Sequence, residues 1–315
     1  MKYAALAALG LVSVNAFLSD RISEEELMFM KYVTEWNKSY GTKAEFEFRL
    51  EQFKNTLKKM AEHNENASGS EVTLNHFADW THEEYKKLLG YTGPQRNQQT
   101  NEKPEVTADE VNWVTKGAVT NVKNQGSCGS CWAFSTTGSV EGAMFLSTGT
   151  LQSYSEQQLV DCSKSNAGCN GGWMDTAFQY IEINPLMLEA DYPYTARDGT
   201  CKYNRTKGVG KVKSYKDVSP DATGAGLKSA LQRGPVSVAV EADQTAFQFY
   251  HTGVVTKGCG TQLDHGVLAV GYGTLDGQEY FLVKNSWGPS WGDKGYIRIA
   301  PDQCGITHAA SYPMN

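Results

Sequence analysis

Basic residues never gather in this chain of 315 residues: 29 Lys and Arg face 35 Asp and Glu, the formal charge is −6, and no basic cluster exceeds a pair. That leaves nucleic acid without an electrostatic footprint and excludes it as a partner. Long apolar runs are missing as well. The stretch Tyr3–Val14 is about a dozen residues, short of the roughly 20 that cross a bilayer, so no membrane span is expected. Preceded by Lys2 and followed by Val14-Asn15-Ala16, it has the layout of a secretory signal cut after Ala16. Internal repeats and low-complexity tracts are absent. No second CxxC or HxxxH completes a zinc set, and no cofactor or metal is expected.

Cysteine is absent from residues 20–103, whereas all seven lie beyond residue 127, at 128, 131, 162, 169, 201, 259 and 304. A covalent framework confined to the later part points to a removable N-terminal segment. Seven is odd, so a secretory route that oxidises cysteines in pairs leaves one over. If Cys131 is the free thiol, six cysteines remain for three bridges, with 15 pairings open.

Helices in the N-terminal segment are signalled by Ser23…Glu26, Thr42…Glu45 and Thr81…Glu84, pairs in which each side chain satisfies the other's orphan N–H. Phe46, Leu50, Phe53, Leu57 and Met60 step by 4, 3, 4 and 3, an apolar seam able to pack on Phe29, Val33 and Trp36. Residues 92–108 carry two prolines, many polar groups and no apolar period, and read as an exposed, cleavable linker. Beyond it, Cys131 to Leu146 reads as a helix closed by Gly149, and Ser155 to Cys162 as a short helix opened by Ser155…Gln158. After about residue 218 the pattern turns to strands: Val236–Val240, Gly266–Val270, Tyr280–Val283 and Tyr296–Ile299.

The chemistry centres on Gln125-Gly-Ser-Cys128-Gly-Ser-Cys131-Trp132-Ala-Phe134. A cysteine opening a helix is placed where the helix N-terminus lowers a thiol pKa, provided an imidazole is near. Far downstream stand Asp264-His265-Gly266 and Asn285-Ser286-Trp287-Gly288. By itself Cys128-Gly-Ser-Cys131 is also compatible with a redox pair or half a zinc site, and a lone histidine is more often structural than catalytic. His63, His76, His82, His251 and His308 lack the context of His265 and default to structural or surface roles.

From residue 20 onward the chain resembles papain-family preproproteases of the cathepsin L type, through Cys128-Gly-Ser-Cys131-Trp132, His265 and Asn285. Glu45, Arg49, Phe53, Thr56, Met60 and Asn64 follow the spacing of that group's interspersed proregion motif, with Thr56 and Met60 replacing the usual Asn and Ile. Thr73 stands for a usual Gly ahead of Asn75-His76-Phe77-Ala78-Asp79, Asn121 for Pro and Asn112 for Asp. The resemblance implies an α+β, papain-like two-domain fold: a helical left domain, an antiparallel β-barrel-like right domain and an α-helical N-terminal prodomain. It divides the chain into 1–16 (signal), 17–106 (inhibitory propeptide) and 107–315 (peptidase domain, helical to about 218 and β-rich from about 219). It implies bridges Cys128–Cys169, Cys162–Cys201 and Cys259–Cys304.

The same resemblance implies a cysteine endopeptidase, made as a zymogen, acting on protein and peptide substrates. Cys131 is the nucleophile, His265 its partner, Asn285 the orienting amide under the shield of Trp287, and Gln125 the oxyanion donor. Gly168-Cys169-Asn170-Gly171-Gly172 resembles the glycine wall that pairs with an extended peptide. Trp173, Met174, Ala239, Leu263, Gly266 and Ala309, with Asp264 beside them, line the pocket for the second residue before the cut; its uncharged lining points to Leu, Phe or Val. The proregion lies backwards along the groove, and acid loosens it by protonating carboxylates such as Asp79 and Glu45. Cystatin-like inhibitors are candidate partners, the chain is expected to be a monomer, and the route leads to a lysosome-like acidic compartment or out of the cell. Of the sequons Asn37-Lys-Ser, Asn66-Ala-Ser and Asn204-Arg-Thr, only Asn204 persists after maturation. A catalytically dead binding or inhibitory relative is the rival reading, and the complete Gln125, Cys131, His265, Asn285 set argues against it.

Overall fold

A computed structural model describes residues 22–66, 69–95, 104–218 and 223–315. The expected signal at 1–16, the middle of the linker (96–103) and the end of the Asn66 sequon lie outside these residues. The described residues form two compact units.

The first unit runs to Lys59 and takes in Leu74–Trp80. Its Glu24–Glu35 helix starts where the sequence signals it, Ser23 and Glu26 each accepting the other's backbone N–H. The Lys43–Asn66 helix is opened less symmetrically: Glu45 N–H donates to Thr42 Oγ1, but the Glu45 carboxylate accepts from Gly41 N–H rather than from Thr42. Phe29 meets Phe46 and Phe53 at centroid distances of 5.1 and 5.2 Å, so the apolar seam packs as its spacing requires. Beside it, the buried Asp79 carboxylate accepts from Tyr32 Oη at 2.7 Å, Lys38 Nζ at 2.7 Å and Tyr40 Oη at 2.8 Å. Arg49 donates to the Asp79 carbonyl. Three donors on one buried carboxylate meet the condition under which such a charge is tolerated.

The second unit holds residues 60–73 and 81–315. A short strand β1 (Ser70–Val72) is held at both polar atoms of its last residue by the Asn64 side chain. Five of the other strands, β2 (Val111–Asn112), β3 (Ser214–Asp217), β4 (Val236–Val240), β6 (His265–Leu275) and β7 (Gln278–Lys284), join β8 (Tyr296–Ile299) and β9 (Ala310–Met314) in one antiparallel sheet. Its order is β3-β9-β4-β6-β7-β8, with β2 added on β6. β5 (Tyr250–Gly253) pairs with β1 instead. Among the described residues the sheet is open, not barrel-like: β3 and β8 are its ends and do not pair with one another. It also draws two strands, β2 and β3, from before residue 219, because their edges satisfy backbone groups of β6 and β9.

Against this sheet lies the Cys131–Thr148 helix, buried on every side from Cys131 to Gly142, which explains its lack of an amphipathic stripe. Gly149 ends it in the left-handed conformation, φ 75°. The Glu156–Cys162 helix is capped by Ser155, whose hydroxyl accepts from Gln158 N–H. The three disulfides are Cys128–Cys169, Cys162–Cys201 and Cys259–Cys304. Behind the helix, Lys123 Nζ reaches Glu156 at 2.7 Å, Glu189 at 3.0 Å and Glu141 at 3.1 Å, a buried cluster that no sequence motif announces.

Candidate active site

Ser130 and Cys131 begin the central helix, and the first residue of β6 is His265; the β4–β6 register sets His265 opposite Val240 and Gly266 opposite Ala239. Cys131 is the free cysteine, fully buried. Its sulfur accepts from the N–H groups of Gly266 and Gly90, both at 3.3 Å.

His265 Nε2 lies 2.8 Å from Asn285 Oδ1. That oxygen also accepts from Ser286 N–H, so it is the amide's acceptor end and Nε2 carries the ring hydrogen. Nδ1 is left as the bare nitrogen, buried and without a partner among the described residues. Trp287 stacks on the imidazole at 4.7 Å with 26° between the planes and closes the Asn285 bond from water, with Phe247 edge-on to both rings.

Gln125 is equally fixed. Ser286 Oγ and Trp287 Nε1 both donate to its Oε1, which turns Nε2 toward the carbonyls of Cys128 and Leu88, each at 2.9 Å. The residues singled out in the sequence, Gln125 with Cys131, His265, and Asn285 with Trp287, are thus brought to one place by three separate stretches of chain.

A stretch that the sequence did not mark, Leu88–Thr92, fills the space in front of them. Gly172 N–H donates to Gly90 O at 2.8 Å, Thr92 N–H to Gly172 O at 3.0 Å and Tyr91 N–H to Asp264 O at 2.9 Å. Tyr91 is buried in the cluster that contains Trp132, Met174, Ala239 and Ala309, with Trp173 and Leu263 packed on it. A Cβ at Gly171 would run into the Gly90 carbonyl, and one at Gly266 would stand 3.2 Å from the Met174 sulfur. Of the expected groove residues, Gly171, Gly172 and Asp264 meet the backbone of this stretch, and Met174, Ala239 and Ala309 share the buried cluster of Tyr91. The only local signal for it was an apolar and glycine-containing run just ahead of the linker.

Occlusion sets the protonation states. Burial pushes the Cys131 thiol up to about 11, against the pull of the Gly266 and Gly90 N–H groups, and pushes His265 down to about 4 despite the Asn285 bond. The sequence led to a thiolate–imidazolium pair for the working enzyme; in this occluded state burial works against both of those charges. Burial, then Asp243 and Glu241, push Asp264 up to about 7, although Ala242 N–H bonds its carboxylate. A cavity of about 20 Å³ behind the site is lined by Glu141, Glu156, Lys284 and Asn285 among others. The remaining histidines are elsewhere: His76 is half-buried in the first unit, and His308 Nδ1 lies 2.6 Å from Gln95 Nε2. Among the described residues no His, Cys, Asp and Glu group could hold a metal, and no helix is long and apolar enough to cross a membrane.

A buried cysteine at a helix start, an imidazole held by an amide, and a strand of the chain's own N-terminal part across them define a thiol hydrolase in precursor form. Residues 107–314 match the papain family cysteine proteases, and residues 29–85 match the cathepsin propeptide inhibitor domain. The chain is 47% identical over 311 residues to "Probable cysteine protease RD21B" of Arabidopsis thaliana, covering 93% of this chain and 67% of that protein. It is 46% identical to "Digestive cysteine proteinase 1" of Homarus americanus over 297 residues, 88% of this chain and 91% of that one. The structure of digestive procathepsin L 3 from Tenebrio molitor larval midgut superposes with a TM-score of 0.83 at 40% identity, covering 93% of this chain and all of that one. The recombinant stem bromelain precursor gives 0.84 at 36%. The chain belongs to the papain family of cysteine proteases and is made as a zymogen with its own inhibitory propeptide.

Proposed function

We propose that the processed protein is an endopeptidase in which Cys131 thiolate attacks the scissile carbonyl while His265, protonated on Nδ1, gives that proton to the departing amine. A thioester on Cys131 results. Water, losing a proton to His265, then attacks the thioester carbonyl, expels Cys131 as thiolate and restores the thiolate–imidazolium pair. Asn285 keeps the ring turned toward sulfur, and Gln125 Nε2 with the Cys131 backbone N–H holds the oxyanion.

The observation that carries this reading is the 2.9 Å bond from Gln125 Nε2 to a peptide carbonyl, Leu88 O, in front of Cys131. The amide is already oriented to receive a carbonyl oxygen. That carbonyl is not cut because its chain runs the wrong way. A substrate presents its pocket residue before the scissile carbonyl, whereas here Leu88 precedes Tyr91, the residue in the pocket.

The pocket of Met174, Ala239, Leu263, Gly266 and Ala309, narrowed by Trp173, carries no charge and takes Leu, Phe or Val as the second residue before the cut. The peptidase domain begins near Thr107, after a signal ending at Ala16 and a propeptide over 17–106. The secretory route leads to a lysosome-like acidic compartment or out of the cell, with the exposed Asn204 as the candidate glycosylation site, and the enzyme works as a monomer open to cystatin-like inhibitors.

The test is hydrolysis of a fluorogenic peptide with Phe or Leu second from the cut, by precursor, acid-treated protein and Cys131→Ser. Activity that arises only after acid, and is absent in Cys131→Ser, supports the reading. No activity in a correctly processed, reduced sample overturns it in favour of a binding or inhibitory role.

A further inference from the structure

One hydroxyl outside the catalytic set touches both ends of the loop that carries the nucleophile and the oxyanion donor. Tyr194 Oη donates to the Gln125 carbonyl at 2.8 Å and lies 2.6 Å from Ser130 Oγ. A carbonyl only accepts, so the single Tyr194 hydrogen goes to Gln125 and Ser130 must donate to Tyr194. The chain of bonds runs Ser130 Oγ–H to Tyr194 Oη–H to Gln125 C=O. Burial pushes the Tyr194 hydroxyl far above its ordinary value, so it stays a donor. Its ring is held edge-on to Phe134, one turn beyond Cys131, at 4.9 Å and 81°.

Ser130 adds an independent sign. It occupies the N-cap of the Cys131–Thr148 helix, where serine ordinarily accepts a first-turn N–H, yet its side chain makes no such bond. The hydroxyl donates to Tyr194, and the Ala133 N–H of the first turn bonds the Ser130 carbonyl instead, at 2.8 Å. The Gln125 side chain is fixed separately by Ser286 and Trp287, and its backbone N–H donates to Ser286 O, so its anchors lie on the β-rich side. The Tyr194 bond ties that same residue back to the helix that bears Cys131.

We propose that Tyr194 is a positioning residue of this peptidase: its hydroxyl, bonded to the Gln125 carbonyl and to Ser130, holds the oxyanion donor Gln125 in register with the nucleophile Cys131. This rests on the catalytic reading of Gln125 and Cys131 given above. It acts through both and touches no substrate atom.

The test compares processed, reduced wild type with Tyr194→Phe, Gln125→Ala and the double variant. Tyr194→Phe should lower kcat for an anilide or amide substrate about tenfold to a hundredfold with KM nearly unchanged, because small misplacement of a donor acts on the transition state. Iodoacetamide alkylation of Cys131 needs no oxyanion donor; its rate and pH profile should stay at wild-type values in Tyr194→Phe, which also confirms a folded site. In the Gln125→Ala background Tyr194→Phe should cost little more. Full additivity in the double variant, unchanged kcat in Tyr194→Phe, or a parallel fall in alkylation would each overturn the proposal. A Gln125→Ala enzyme with normal kcat would instead overturn the role given to Gln125 itself, so the two failures are told apart.

Discussion

The Gly90 N–H donates to the Cys131 sulfur at 3.3 Å, and Gly90 O accepts from Gly172, so one residue ahead of the matched peptidase segment is pinned to both Cys131 and Gly172. Glycine is required for that approach. A Cβ at position 90 would fall on the Gly129 carbonyl oxygen, with the Gly129 carbonyl carbon 2.6 Å away.

Gly90→Ala should therefore loosen latency without touching the mature enzyme. Overpacking against backbone costs about 1–3 kcal/mol, or roughly 5- to 150-fold in occlusion. Active-site alkylation of the unprocessed protein at neutral pH should rise by that order. An unchanged alkylation rate would mean that Gly90 is not what seals the site.

Alkylation of the precursor against pH tests the neutral pair. With the thiol at about 11 and His265 at about 4, reactivity should be low through neutrality and climb only in strong alkali, whereas the processed enzyme should be reactive in mild acid. The linkage has a definite sign. His265 is lowered from 6.5, so the occluded state binds fewer protons and its stability is lost as pH falls from about 6.5 toward 4. Asp264, raised from 3.8 to about 7, acts oppositely: its contribution is present below 3.8 and is lost as pH rises through 7. A precursor with the alkylation profile of the processed enzyme would show that occlusion does not neutralise the pair.

In the first unit, Asp79→Ala leaves Lys38 charged and two tyrosine hydroxyls unpaired. Breaking such a buried pair costs about 3–5 kcal/mol, and calorimetry of the full precursor should show the propeptide transition shifted down or lost. Asp79→Asn keeps an acceptor and should cost less. If its processing rate across pH 4 to 7 matches wild type, protonation of Asp79 is not the acid trigger.

Pocket charge should decide the second residue before the cut. Ala309 is buried beside Tyr91 and Met174, so Ala309→Glu puts an acid against the pocket floor. A positional peptide library should then show arginine gaining at least about tenfold relative to phenylalanine. Arginine preferred by the wild type would contradict the apolar reading of the pocket.

The Ser23, Thr81 and Ser155 caps were legible because capping is a matter of three neighbouring residues. At Thr42 the same pattern formed only halfway, since Gly41 N–H was equally near the Glu45 carboxylate. Parity left one cysteine over and the motif around Cys131 said which, while motifs in three stretches pointed to Gln125, His265 and Asn285 beside it. The open sheet was not legible: whether strands close a barrel depends on edge pairing, and β3 and β8 carry no mark that they remain ends. Nor was the Lys123 cluster, whose partners are ordinary charged residues until burial makes them neighbours.

By itself the sequence determined which groups are available: one unpaired thiol, one histidine with its amide, one glutamine, and helices whose ends are written in local side chains. Only the tertiary structure decided what those groups do in this state. Burial behind Leu88–Thr92 works against charge on Cys131 and His265, and Tyr194 reaches two residues of a distant loop. Desolvation and hydrogen-bond geometry depend on which atoms are near in space, and nearness between residues 90 and 131, or 125 and 194, is a property of the folded chain alone.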